Sequence, residues 1–173
     1  MNSTNKNLSK AERLGSLNWV LTDLILDLST NVKVFHDYFS NDDFNGSATK
    51  RAAISRMICG SLTVNLFKLH EALQLYGKEI NELSPPLRNQ CNELRKEIQK
   101  RRICDLRSKY VAHVEDKKTK KPINLNDGEQ LVKEIFGEAL SDLSSFCDWV
   151  WQDVLSVVVS LREYCRENGS RER

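Results

Sequence analysis

The stretch "RSKYVAHVED", residues 107–116, places a guanidinium, a hydroxyl and an imidazole within one short segment. An imidazole that titrates near neutrality can take the proton from a ribose 2′-hydroxyl or give one to the leaving 5′-oxygen. A guanidinium can neutralise the charge that builds on the phosphorus during that reaction. Arg107, Ser108 and His113 are therefore candidate catalytic residues for RNA cleavage without a metal ion, with the Ser108 hydroxyl as a hydrogen-bond donor.

The spacing of Arg107 and His113 restricts how they can act together. Residues six apart on a regular helix point about 120° away from each other, so the two side chains do not share one helix face. They reach a common groove if the helix frays near His113, or if a second copy of the chain supplies the matching residues. Two-fold symmetry doubles every residue near its axis, so a dimer can bring two Arg and two His side chains together.

Positive charge is concentrated in the same part of the chain. From Arg88 to Lys121 there are 12 Lys and Arg against 5 Asp and Glu, a net charge of +7, which leaves −5 for the rest of a chain whose total is +2. Such a surface is typical of a protein whose partner carries phosphates, although a solvated helix face rich in Lys and Arg is the open alternative. The candidate substrate-binding residues are Arg102, Lys109, Tyr110, Lys117 and Lys118.

Other chemistries find little support in the sequence. No glycine-rich phosphate loop, HExxH motif or cluster with metal-ligand spacing is present. Asp23 and Asp27 in "LTDLILDL" are more typical of the solvent edge of a helix than of a metal site. His36 and His70 favour a packed or capped structural role. We therefore expect no metal and no cofactor.

The composition favours a cytoplasmic protein. The five scattered cysteines form no CxxC and are typical of reduced thiols. The polar first ten residues predict no secretory signal. No apolar run approaches the roughly 18 residues that a membrane span needs.

The elements that must position "RSKYVAHVED" are four amphipathic helices. Seven Gly and three Pro leave little room for a turn-rich β protein, and apolar residues recur at steps of three and four in four segments. We predict an all-α, antiparallel four-helix bundle that forms one domain over residues 1–173, with short disordered tails at both ends. The apolar stripes run from Leu14 to Phe39, from Ile54 to Leu73, from Leu87 to Tyr110 and from Leu131 to Tyr164.

The sequence also predicts where the helices begin, break and end. In the third helix the register slips at "QKRRIC", which predicts a kink or a break near Arg101–Ile103. The stripes of the first and fourth helices are unusually long, so they either contact a second subunit or bend around their own core. The first helix is expected over about Ser9–Ser40, the second to end near Gly77, the third to begin after Ser84 as its cap, and the fourth to be capped by Asn126 or Asp127 and to run to about Glu167.

An Arg-x5-His motif near the end of a basic third helix resembles the HEPN superfamily, the higher eukaryote and prokaryote nucleotide-binding fold. The signature of that family is Arg, a polar residue, and His after four to six intervening residues, and Arg107, Ser108 and His113 match it in order and type. The segments "LRSKYVAHVEDKK" and "LHEALQLYG" are most similar to the abortive-infection U-type HEPN proteins.

The resemblance implies a homodimeric, metal-independent endoribonuclease that acts in phage defence or as a toxin. Its site would combine Arg107 and His113 of both subunits, and its partners would be RNA and an antitoxin or regulatory protein. Two positions depart from the family. Ser108 stands where Asn, Asp or His is frequent, and Glu115 stands where the branch silenced by a nucleotidyltransferase has Tyr. Two alternatives stay open: a non-catalytic module that binds RNA, a nucleotide or a protein, and a purely structural dimerisation scaffold.

Overall fold

The structure is a computed structural model that describes residues 8–39, 47–108 and 125–169, and over these ranges the chain is helical with no strand. The predicted all-α bundle is confirmed, whereas the expected tails lie outside the described residues. The helices are α1 (Lys10–Phe39), α2 (Ala48–Leu75), α3 (Gly77–Asn81), α4 (Pro85–Lys100), α5 (Ile103–Leu106), α6 (Leu125–Phe136), α7 (Leu140–Trp149) and α8 (Leu155–Gly169), with a π-helical segment, Val150–Val154, between α7 and α8.

Helix α1 forms the centre of the core and packs against α8 and α2. Its apolar stripe is buried within this one chain from Leu14 to Phe35, and Phe39 at its end is partly buried. Each fully buried leucine contributes about 1.5–3 kcal/mol relative to an exposed one. The α1 stripe consists of Leu14, Leu17, Leu21, Leu24, Leu28, Val32 and Phe35.

The predicted break in the third helix is confirmed. Helix α4 ends at Lys100, and Arg102 takes a left-handed conformation with φ 59° and ψ 23° before α5 begins. A non-glycine residue in that region costs about 1 kcal/mol or more, so contacts elsewhere must hold it there. At the other end of α4, Ser84 occupies the expected cap position with proline in the first turn, but its side chain makes no capping hydrogen bond.

The second helix was expected to end near Gly77, and α2 ends close to it at Leu75, but Gly77 begins the short helix α3, which was not predicted. The fourth helix is not continuous: Gly137 has φ +85° and separates α6 from α7. The Asp142 carboxylate accepts hydrogen bonds from the N–H groups of Glu138 and Ala139 at 3.1 and 3.0 Å, which satisfies the start of α7.

The start of α6 also differs from the prediction. Helix α6 begins at Leu125, so Asn126 and Asp127 lie inside its first turn rather than at the cap.

The short helix α3 is tied to α1 by a buried ion pair. The Arg13 guanidinium donates from Nε to Glu79 Oε1 at 2.5 Å and from Nη2 to Oε2 at 3.0 Å. It also lies 5.2 Å from the centroid of the Tyr76 ring. These hydrogen bonds hold the pKa of the Glu79 carboxyl below its usual value of 4.5. Among the described helices, none combines the length and the apolar character needed to cross a membrane.

Candidate nucleic-acid site at the end of helix α5

Helix α5 fixes the position of Arg107. Ile103 and Leu106 are fully buried, one turn apart, and anchor this short helix in the core. A helix of four residues is not stable through its own hydrogen bonds, so its direction depends on that anchoring. Arg107 follows at the C-terminal cap with helical φ and ψ, and Ser108 is exposed beside it. Arg107 is half-buried, and the Arg-x5-His motif of the sequence begins at this residue.

The Arg107 guanidinium lies over an aromatic ring of helix α2. Its Cζ atom is 4.6 Å from the centroid of Phe67, which is within the range of a cation–π contact. Among the described residues, no carboxylate pairs with Arg107. The ring restricts where the guanidinium can lie but accepts none of its in-plane hydrogen bonds. Within residues 8–39, 47–108 and 125–169 its N–H donors therefore have no carboxylate acceptor, and their geometry suits an anion such as a phosphate.

The two arginines that precede Arg107 in the sequence, Arg101 and Arg102, form ion pairs within the protein. Arg101 donates to the Glu97 carboxylate at 2.9 Å and lies 4.1 Å from the ring centroid of Trp149. Arg102, a candidate substrate-binding residue, pairs with Glu134 at 2.6 Å and with Asp105 at 3.3 Å. A phosphate would have to compete with both carboxylates for Arg102.

The ion pairs and ring contacts of Arg101 and Arg102 stabilise the left-handed turn at Arg102. They attach the link between α4 and α5 to α6 and α7, and so they orient α5 and the residue that follows it. Arg101 and Arg102 therefore position Arg107 at the surface.

His70 lies one turn from Phe67 on the edge of α2 that faces α4. Burial and the nearby Arg95 guanidinium lower the pKa of His70, which favours its neutral form. The sequence pattern favoured a structural role for His70 and did not single out Phe67 at all. No motif distinguishes Phe67 from the five other phenylalanines, and its role depends on the path of α5.

Of the predicted site residues, the structure places Arg107 and Ser108 together at the surface and Arg102 in ion pairs. The predicted roles of the other candidates remain predictions, because these residues lie outside the described ranges: His113, Lys109, Tyr110, Lys117 and Lys118. Among the residues that are described, no group of three or more His, Cys, Asp or Glu side chains is arranged to hold a metal ion.

The Arg-x5-His motif of the sequence begins at Arg107, directly after the broken, basic helix formed by α4 and α5 in an all-α bundle, and this combination is similar to a HEPN-like domain. The model of the HEPN-like integron domain family matches residues 15–144, and the chain belongs to that family. The chain is also similar to a solved structure from the mobile metagenome of V. paracholerae, the integron cassette protein Vpc_cass2. The TM-score is 0.71 at 25% sequence identity, over 92% of this chain and 99% of that one.

These comparisons confirm the predicted HEPN-like fold. The finer similarity to abortive-infection U-type proteins is not confirmed by them. No protein of curated function matches the chain significantly.

Proposed function

We propose that the protein is a metal-independent endoribonuclease of the HEPN type that acts as a homodimer, in phage defence or as a toxin. One observation carries the proposal: Arg107 is held at the surface on Phe67 and has no carboxylate partner among the described residues. A guanidinium kept in one place without a counter-charge is suited to an anionic substrate. The family membership and the net charge of +7 over residues 88–121 support the same substrate class.

In the proposed reaction, His113 of one subunit removes the proton from a ribose 2′-hydroxyl. The oxygen attacks the adjacent phosphorus, and the bond to the 5′-oxygen breaks as His113 of the second subunit protonates the leaving group. The products are a 2′,3′-cyclic phosphate and a free 5′-hydroxyl. Arg107 neutralises the charge on the pentacoordinate phosphorus, and the Ser108 hydroxyl donates a hydrogen bond to a non-bridging oxygen.

A second candidate function is an RNA-binding module without catalysis. The observation that favours it is Ser108, because a hydroxyl next to the arginine cannot act as an acid or base near pH 7. This alternative keeps the basic surface and predicts RNA binding that falls steeply with salt and survives loss of His113. Lys109, Lys117 and Lys118 would supply phosphate contacts in either case.

A cleavage assay in EDTA separates the two candidates. Total tRNA and an unstructured RNA are incubated with the wild type and with His113→Ala, and the product ends are identified as cyclic phosphate or not. We expect cleavage by the wild type and a loss of about 10²–10⁴-fold in the variant. If the wild type binds RNA but leaves it intact in EDTA, the binding module replaces the nuclease.

A further inference from the structure

An open, shallow groove lies on the exposed side of α2, between that helix and α1. Its volume is about 690 Å³. Met57 and Val64, 58% and 44% exposed, flank Gly60, where a Cβ would meet no atom within 4 Å. The lining residues are Asp27, Ala53, Arg56, Met57, Gly60, Ser61, Val64 and Asn65.

The polar side of this groove contains hydrogen-bonding groups that the described residues do not satisfy. Asn65 is only 6% exposed, and its Nδ2 donates to the Ser61 carbonyl at 3.1 Å. Because a carbonyl can only accept, this bond fixes the amide orientation and leaves Oδ1 as an acceptor. No donor to Asn65 Oδ1 is found in residues 8–39, 47–108 or 125–169.

Ser61 and Asp27 extend this polar side. Ser61 Oγ accepts from Asn31 Nδ2 at 2.9 Å, while its own proton has no acceptor within the described ranges. The Asp27 carboxylate forms no ion pair there either. The groove therefore offers a ligand one carboxylate, one amide oxygen and one hydroxyl, and the Arg56 side chain is also part of its lining.

The groove lies on the same face of α2 as Phe67, the residue whose ring contacts Arg107. Gly60 and Phe67 are seven residues apart, so they point within about 20° of each other and are separated by about 10 Å along the helix axis. That separation is comparable to the size of one nucleotide with its phosphate. An RNA strand whose phosphate contacts Arg107 can place a neighbouring base at Gly60.

We infer that this groove is a nucleobase subsite that prefers guanine. The Watson–Crick edge of guanine places an imino N–H beside an exocyclic amino group, and these two donors fit one carboxylate in a bidentate arrangement with Asp27. The remaining amino proton of guanine matches the acceptor Asn65 Oδ1. Adenine, cytosine and uracil lack two adjacent donors. This inference rests on the proposed function for the position of the RNA strand, but base binding itself does not require cleavage.

A helix from a second copy of the chain is the competing occupant. It could cover Met57 and Val64, but apolar side chains would leave Asp27 and Asn65 desolvated without donors, which is unfavourable. The polar side of the groove thus favours a base over a helix.

The test uses the His113→Ala variant as background so that the RNA stays intact. Fluorescence anisotropy is measured with labelled pentanucleotides of uridine that carry guanosine, inosine or adenosine at the centre. We expect the guanosine oligonucleotide to bind about tenfold more tightly than the adenosine one, with inosine between them because it lacks the amino group. Asp27→Asn should bring the ratio close to one, whereas Asp23→Asn, one turn away on α1, should leave it unchanged.

Gly60→Leu places an apolar side chain in the middle of the groove and should remove the preference for guanosine. Gly15→Leu is the matched control, because a Cβ at Gly15 also meets no atom within 4 Å. Thermal melting confirms that both variants fold. An unchanged preference in Gly60→Leu would overturn the subsite, as would a shift from dimer to monomer in sedimentation with the preference intact, which would make the groove a subunit contact.

Titration with GMP and AMP, followed by NMR, separates this inference from the proposed nuclease. Selective GMP shifts at Gly60 and Ser61 without RNA cleavage would retain the subsite and reject the nuclease. Cleavage without selective GMP binding would retain the nuclease and reject the subsite.

Discussion

Two regions of the molecule place an arginine against an aromatic ring with opposite consequences. Between α1 and α3, Arg13 lies 5.2 Å from the Tyr76 centroid and donates two hydrogen bonds to the buried Glu79 carboxylate. At the end of α5, Arg107 lies 4.6 Å from the Phe67 centroid and has no carboxylate partner among the described residues. The ring is common to both, and the carboxylate distinguishes them.

The difference indicates which arginine can bind a ligand. A guanidinium that donates to a buried carboxylate has used its charge within the fold, and removing it would leave that carboxylate desolvated and unpaired. A guanidinium that rests on a ring retains its in-plane donors and its charge. Variants of Arg13 should therefore change stability, and variants of Arg107 should change RNA binding or cleavage.

The largest effect is expected from Arg107→Ala. We expect the cleavage rate to fall by about 10²–10³-fold, because charge on the phosphorus is no longer stabilised. Arg107→Lys should recover only part of the rate, since a single ammonium cannot form the two parallel hydrogen bonds of a guanidinium. Arg88→Ala removes the same charge from α4 and serves as the control. Equal losses in Arg107→Ala and Arg88→Ala would show that only net charge matters.

Arg13→Met should lower the stability of the protein and leave RNA cleavage nearly unchanged. Loss of the guanidinium leaves Glu79 buried without a partner, and we expect the free energy of unfolding to fall by about 3 kcal/mol in urea denaturation at pH 7. RNA cleavage at a temperature where the variant is folded should stay close to wild type. The double variant Arg13→Met with Glu79→Leu should recover part of the stability. If the single variant were as stable as wild type, the pair would not be an anchor of the fold.

The pH dependence of stability sharpens the same contrast. The hydrogen bonds from Arg13 lower the pKa of Glu79, so the native state binds its proton less tightly than the unfolded state does. The stabilisation is present above the unfolded value near 4.5 and is lost as the pH falls through the lower folded pKa. In urea denaturation between pH 7 and pH 3, wild type should therefore lose more stability than Glu79→Gln. Parallel curves for the two proteins would contradict this assignment.

Periodicity predicts the bundle because each helix has one apolar stripe, and the stripe of α1 is buried residue by residue as its spacing requires. The slip at "QKRRIC" likewise predicts the break at Arg102, since a change of register must be accommodated somewhere. The interruption at Gly137 is not predicted, because the apolar pattern continues across a turn that depends on Asp142.

Spacing within the chain identifies Arg107 as a candidate, but it cannot show which arginines lack carboxylate partners. The partner of Arg102 is Glu134, 32 residues away, and it depends on how α6 packs. Phe67 and Gly60 are likewise ordinary residues of α2 in the sequence. The role of Phe67 depends on the path of α5, which places Arg107 over its ring. The role of Gly60 depends on the open space between α1 and α2.

The smallest effect is expected from Phe67→Leu, which removes the ring but keeps an apolar side chain under Arg107. A cation–π contact at a partly exposed site is worth about 0.5–1 kcal/mol, so we expect a few-fold loss in cleavage efficiency. Because the ring restricts the position of the guanidinium without contacting the substrate, the loss should appear in kcat more than in KM. In the double variant Phe67→Leu with Arg107→Ala, the loss should be no greater than in Arg107→Ala alone. Additive losses would mean that Phe67 acts on the RNA independently of Arg107.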